Sequence, residues 1–488
     1  MDLLIINCPS HQQVYQALHN DKLTALEPPI WAGLIANFIR EKGHSVSILD
    51  AQAERLTFEE TGNRIINASP QLALFVVYGH QPSASTQCMP AAIDVCRLVK
   101  SSSNVPVMFM GTHPAALPQR TLEESGADFA CTGEGPFTVL KLLKVLKSGS
   151  SKVDLCGDLS YLDDKNLIST NRVPLISDLS NTLPKVAWDL LPMDRYRAHN
   201  WHCLGGLDRQ PYASLYTSLG CPYRCSFCCI NVVFGKPTIR YWDISSIINE
   251  IEILIEKYGI RNLKIIDELF VLNKRHISRF CDAIIERGYD LNMWVYARID
   301  TVPYDLLDKM RMAGIRWLAF GIESASPIVC SESGKQIKVD TFDVVNKVKA
   351  HDINVMGNYI FGLPRETKET MQQTLDLALE LNTEWANFYC AMAYPGSRLH
   401  IEAQGNIPLP EDPGGPGWVG YSQHAYETFP LRTDHLLNSE ILAFRDKAHV
   451  QYFTNDRFLQ LIELKFGKET MQVVEQMNKS HLSRKYSE

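Results

Sequence analysis

Two successive series of short apolar runs, each alternating with amphipathic helical stretches, constrain the fold of this chain more than any other feature. In the first, from residue 3 to about 149, LLIIN, HSVSILD, LALFVVY, VPVMFMG and ADFACTG have the length and composition of strands. Segments such as WAGLIANFIREKG and AAIDVCRLVKSS lie between them with helical patterning. Strand–helix alternation of this kind predicts parallel βαβ units and an open, doubly wound, Rossmann-like sheet. Ligands of such sheets sit at the carboxyl ends of the strands. That rule places PS at 9–10, YGHQPS at 78–83, GTHP at 111–114 and TGEG at 132–135 on one rim.

Residues 150–210 break the pattern. DLSYLDDKNLISTNRVPLI predicts a small hairpin and LPKVAWDLLPMDRYRAHNW a proline-punctuated connection, so this stretch reads as a linker. From 211 a second alternation runs through the strands ASLYTS, NLKIID, NMWVYARI, RWLAFGIE, VMGNYIFG and WANFYCAM. Its first helix, DISSIINEIEILIEKYG, has Asp243 placed to cap it and Gly259 to end it. Six repeats over residues 211–400 fall short of the roughly 250 residues of a closed eight-fold barrel. A partial (β/α)6 barrel is expected, with its site at the carboxyl ends of the strands. Residues 401–488 open with the loop PLPEDPGGPGWVGYSQ and read as a cap of two or three amphipathic helices.

The first strand of the second series leads straight into SLGCPYRCSFCCI. Cys221, Cys225 and Cys228 stand with three and then two residues between them, and Cys229 follows directly. A structural zinc site takes four protein ligands, usually from two separated pairs. This chain has no second CxxC and no HxxxH. Neighbouring side chains on an extended loop point to opposite sides, so Cys228 and Cys229 do not serve one ion, and Cys229 is expected to pack. Three thiolates suit an iron–sulfur cluster, and a four-iron cluster held by three cysteines keeps one iron open to a small molecule. The remaining cysteines of the thirteen sit mostly in apolar segments such as DVCRLV and NFYCAM, where a thiol behaves as a small hydrophobe.

CPYRCSFC resembles the CxxxCxxC signature of the radical S-adenosylmethionine enzymes. The resemblance implies a 4Fe-4S cluster on Cys221, Cys225 and Cys228, with S-adenosylmethionine bound at the open iron by its amine and carboxylate. In that family the cluster loop follows the first strand of a partial barrel, which is where Cys221 falls. Position by position, it implies that Phe227 shields the cluster and that Asp267 and Glu268, in IIDELF, approach the methionine amine. Arg298, in YARID, would pair with the methionine carboxylate. Glu323 and Ser324, in FGIESAS, would contact the ribose, and Gly362, in NYIFGLPRET, would let backbone approach adenine.

The first strand ends in NCPSHQ without a GxGxxG fingerprint. MGTHPAALPQRTLEESGADFACTGEG and LEPPIWAGLIANFIREKGHSVSILDA instead resemble the cobalamin-binding domain that precedes the radical barrel in one large class. The resemblance therefore spans residues 1 to about 400 and implies cobalamin contacts from Ser10, His80, Gln81, Thr112, His113, Gly133, Glu134 and Gly135. The chain lacks the DxHxxG motif of proteins that ligate cobalt through histidine. His80 and His113 are accordingly expected as loop contacts, and the lower cobalt face is left to water, a non-histidine side chain or nothing.

Together the resemblances imply a cobalamin-dependent radical enzyme that methylates an unactivated carbon of a small molecule, reduced by an external donor such as flavodoxin or ferredoxin. A 5′-deoxyadenosyl radical would remove the hydrogen, methylcobalamin would supply the methyl group, and a second S-adenosylmethionine would recharge the cobalt. The alternatives are a cyclase or rearrangement enzyme with the same cofactors, and a non-enzymatic cobalamin carrier, which would have no use for the barrel's acidic and arginine positions. A methylthiotransferase would carry a second cysteine cluster in its N-terminal domain. No residue can be singled out as proton or electron acceptor, and Trp385, Tyr389 and Tyr394 read chiefly as core. A net charge of −7 without a basic block gives no nucleic-acid footprint. No apolar run approaches the roughly 18–20 residues of a membrane span, and MDLLIINCPS does not read as a signal peptide. A cytoplasmic protein is expected.

Overall fold

Parallel strands covered on both faces need near-continuous apolar runs, and the first series supplies them. In the computed structural model, which describes residues 1–16, 18, 24–78, 83–149, 152–478 and 482–486, five parallel strands form: β1 (Leu3–Asn7), β2 (Val46–Asp50), β3 (Leu72–Val76), β4 (Val107–Met110) and β5 (Phe129–Cys131). Their order is β2-β1-β3-β4-β5, so the direction of winding reverses between β1 and β3, and a crevice opens there beyond the strand ends. The expected hairpin forms as β6 (Leu159–Asp163) and β7 (Asn166–Ser169), but it does not stand apart as a linker element. β6 pairs antiparallel with β5, which extends the sheet to seven strands.

The second series gives six parallel strands in strict sequence order: β8 (Tyr212–Leu215), β11 (Asn262–Ile265), β12 (Asn292–Arg298), β13 (Ile315–Glu323), β14 (Asn354–Phe361) and β15 (Trp385–Cys390). The short antiparallel pair β9 (Ser218–Leu219) and β10 (Arg240–Tyr241) brackets the cysteine loop. β8 and β15 do not pair, so the barrel is open along one side. Three helices (Asn438–Phe453, Asp456–Phe466 and Lys468–Met477) form the C-terminal cap.

Residues 176–211 lie between the two sheets. Helix α1 (Ile30–Glu41) is buried from Ile30 to Ile39 because the first sheet covers one side and this segment the other. A Cβ at Gly33 would stand 2.3 Å from the Val186 side chain, and Ala187 donates its N–H to the Gly33 carbonyl at 3.1 Å. On the barrel side, Glu250 of helix α2 (Ile244–Tyr258) accepts the Val186 N–H and the Trp188 indole N–H, both at 2.9 Å. Gly259, at φ +64°, ends α2 as expected, whereas the Asp243 side chain makes no capping bond and its N–H is held by Ser180. One contiguous apolar core runs from Leu3 to Val474 through both sheets and the cap.

Candidate active site

The strand ends of the two sheets face each other across a cleft of about 1200 Å³ of empty space. The first sheet contributes Asn7, Cys8, Ser10, Val76 and Val77, Tyr78, Cys88 and Thr112, and the turn before α1 adds Glu27 and Trp31. The barrel contributes Ser214, Tyr216, Gly220, Ile266 and Glu268, followed by Phe234 from beyond the cysteines.

Three pins shape the cysteine loop. Gly220, at φ +90°, turns the chain where a Cβ would meet the Thr238 carbonyl oxygen at 2.5 Å, and Thr238 N–H donates to the Cys221 carbonyl. Ser226 donates its N–H to Ser333 and accepts from Leu399 N–H at 2.8 Å. Cys228 is exposed, Cys221 and Cys225 are half-buried, and Cys229 is buried. Burial pushes the Cys221 thiol up to about 11 and raises Cys225 as well, so iron binding must displace thiol protons. Phe227 packs between two small apolar clusters, one around Leu399 and Leu431, the other around Val329 and Leu363.

The two acidic residues after β11 divide their roles. Asp267 accepts Thr217 N–H at 2.6 Å and Ser218 N–H at 3.0 Å on one oxygen, and the Thr217 and Ser218 hydroxyls at 2.5 and 2.7 Å on the other. Those four donors occupy the lone pairs of a carboxylate, so Asp267 braces the approach to the cysteines and has none left for a ligand amine. Burial nonetheless pushes its carboxyl up to about 6. Glu268 faces the cleft, and burial with the charge of Asp267 pushes it up to about 8. Arg298 is held by Asp300, with Nε 2.7 Å from Oδ1, and donates to the Gln336 carbonyl while its guanidinium covers Tyr223 at 4.4 Å. Nε and Nη2 thus face partners within the protein.

Glu323, at φ +67°, pairs with Lys335, whose ammonium also donates to the Gly321 carbonyl at 2.9 Å. Ser324 contacts Thr374 at 3.2 Å and Glu366 at 3.4 Å. Glu366 in turn accepts the Gly362 N–H at 2.6 Å and the Leu363 N–H at 3.2 Å, holding the turn at Gly362 (φ +85°). Lys335 and Glu366 escaped the sequence reading; the PRE after Gly362 was the available signal for the second.

On the first sheet, Ser10 and Thr112 line the cleft, with the Ser10 hydroxyl directed at Cys88 Sγ, 3.3 Å away. His80 and Gln81 lie outside the described residues. His113 turns away from the cleft: its Nδ1 meets Thr86 Oγ1 at 3.3 Å and its ring stands edge-on to Trp418 of the cap. Burial lowers it to about 3, and the expectation of a corrin contact fails for its side chain. Gly133, Glu134 and Gly135 also miss the cleft lining. Glu134 instead accepts the Ile176 N–H and pairs with Arg240 of β10 at 2.8 Å, clamping the sheet to the β9–β10 pair that brackets the cysteine loop. Trp31, Tyr78 and Tyr216, missed because aromatics read as core, form the aromatic wall; Trp31 stacks on Tyr78 at 5.1 Å.

A Rossmann-like sheet and an open (β/α)6 barrel that share one cleft, with three cysteines on the barrel's first loop, define a two-domain enzyme class. Residues 20–143 match the family model of the B12 binding domain, and residues 215–378 match that of the radical SAM superfamily. An uncharacterized methyltransferase of Pyrococcus horikoshii, PH0819, is 30% identical over 437 residues, covering 88% of this chain and 89% of that protein. The anaerobic magnesium-protoporphyrin IX monomethyl ester cyclase of Cereibacter sphaeroides is 23% identical, over 85% of this chain and 65% of that one. Among solved structures, the radical S-adenosylmethionine methyltransferase TsrM from Kitasatospora setae superposes with a TM-score of 0.67 at 16% identity, covering 98% of this chain and all of that one. The chain belongs to the radical SAM superfamily, in the branch that carries a B12-binding domain ahead of the barrel. Its cofactors are a 4Fe-4S cluster, S-adenosylmethionine and cobalamin.

Proposed function

We propose that this enzyme transfers a methyl group to an unactivated carbon of a small-molecule substrate. One observation carries the reading: the strand ends of the cobalamin-binding sheet and of the barrel open into the same cleft rather than into separate pockets. The identity with the Pyrococcus horikoshii methyltransferase supports it. When bound, the cluster and S-adenosylmethionine supply hydrogen abstraction and cobalamin supplies the methyl group.

The donor set fits these groups. Cys221, Cys225 and Cys228 hold the cluster. Glu268 offers the cleft a carboxylate that a cationic ligand draws into its charged form. Glu366 keeps the Gly362 turn in place for adenine, and Lys335 holds Glu323 at the ribose position. Ser10 and Thr112 contact the corrin, and Trp31 and Tyr216 exclude water from the space between the walls. An external flavodoxin or ferredoxin supplies electrons. Among the described residues no helix is long and apolar enough to cross a membrane.

The test is anaerobic reconstitution with iron, sulfide, cobalamin, reductant and S-adenosylmethionine, with products followed by mass spectrometry. Methyl transfer yields both 5′-deoxyadenosine and S-adenosylhomocysteine. Deoxyadenosine alone would refute methyl transfer in favour of a cyclase-type outcome.

A further inference from the structure

Glu27 leaves the rim of the first sheet and reaches the barrel at β11. Each of its carboxylate oxygens lies 2.9 Å from Lys264 Nζ, an ammonium 237 residues away in sequence. Lys264 stands on β11, its charge 4.8 Å from the ring centre of Trp294 and 5.7 Å from that of Tyr296. The Lys264 side chain is 2% exposed and that of Glu27 5%. His199 of the linker completes the group, with Nε2 3.4 Å from Glu27.

A buried pair of this kind adds little net stability over apolar residues of equal volume, because desolvation cancels most of the attraction. It does fix a spacing, since the two charges meet at one separation while apolar side chains slide past one another. Here the spacing matters for the cleft. Lys264 stands on β11, and Ile266 and Glu268, which follow that strand, line the cleft together with Glu27. The pair ties the wall of the cobalamin-binding sheet to the strand that leads into Glu268.

We propose that Glu27 and Lys264 are positioning residues that hold the two cofactor-binding walls in register for group transfer across the cleft. The inference rests on the methyl-transfer reading and adds to it which side chains set the distance. 5′-Deoxyadenosine formation needs the barrel alone, whereas S-adenosylhomocysteine formation, by methylation of cobalamin, needs both walls aligned. The experiment compares the reconstituted holoenzyme with Glu27→Gln, Lys264→Met and the apolar double variant Glu27→Leu/Lys264→Met.

The double variant is expected to unfold near the wild-type midpoint and to keep deoxyadenosine formation within about threefold. It should lose S-adenosylhomocysteine formation by about tenfold or more. Recovery of both products in the double variant would reduce the pair to packing and overturn the proposal, as would equal loss of both. A second readout uses the full chain without added cofactors. Hydrogen exchange of the Leu26 amide, bonded to the Arg197 carbonyl at 3.0 Å, should accelerate about tenfold in the double variant while the β11–β12 ladder stays protected. Unchanged exchange at Leu26 would also overturn it. If the wild-type enzyme makes no S-adenosylhomocysteine, the methyl-transfer reading falls, and hydrogen exchange still decides the register.

Discussion

Replacing Asp267 separates a brace from a ligand contact. Asp267→Ala removes the acceptor for two backbone N–H groups, Thr217 and Ser218, in a position 1% exposed, where water does not substitute. Each orphaned donor costs about 1–3 kcal/mol, so the loss is about 2–6 kcal/mol, most of it at the entry to the cysteine loop. Asp267→Asn keeps one carbonyl oxygen for the two backbone donors. Its amide can donate to the Thr217 and Ser218 hydroxyls, which rotate to accept, and the variant no longer buries a charge. Its cost should stay within about 2 kcal/mol. The assay pairs iron content and unfolding midpoint with calorimetric titration of S-adenosylmethionine into the reconstituted enzyme. Asp267→Ala should lose cluster and stability together, and Asp267→Asn should bind S-adenosylmethionine within about threefold of wild type. A tenfold loss of affinity in Asp267→Asn, at unchanged iron content and midpoint, would mean that the carboxylate touches the ligand after all.

Cys225→Ala should lose the cluster's visible absorbance and all 5′-deoxyadenosine, while Cys229→Ala should keep both. Gly220→Ala places a Cβ against the Thr238 carbonyl at positive φ, a strain of about 1–3 kcal/mol that should appear as reduced iron content on reconstitution. Glu366→Ala frees the Gly362 and Leu363 amides and should weaken S-adenosylmethionine about tenfold by titration; Glu366→Gln should rescue most of it. The folded-state value of Glu268, about 8, lies above its ordinary 4.5, so folding favours the protonated form. That contribution is full below about 4.5 and fades as pH rises through 8, while affinity for cationic S-adenosylmethionine should grow over the same upper range. Glu268→Gln should flatten that rise.

The strands were legible because buried parallel strands must be apolar throughout, and LLIIN, LALFVVY and VPVMFMG offer no other reading. The cysteine loop was legible because cluster binding needs a fixed local spacing. What escaped depends on partners far along the chain. Nothing near Asp267 announces that Thr217 and Ser218, about fifty residues earlier, consume its lone pairs. His113 looks like a rim histidine until Trp418 of the cap turns it inward. TGEG lies on the rim as the strand rule requires, yet Glu134 is spent on Arg240. The hairpin was found but not its attachment, since backbone pairing to β5 leaves no pattern in side chains.

The segment clamped between Gly33 and Glu250 bears on how such a chain can be recombined. A chimera joined near residue 150 would bring a foreign sheet against a connector shaped for this α1, and any side chain in place of Gly33 would strike Val186. A junction near residue 211 carries the connector with its own sheet, but it then depends on a carboxylate at position 250 to receive Val186 and Trp188. The two halves are distinct in topology and inseparable in practice.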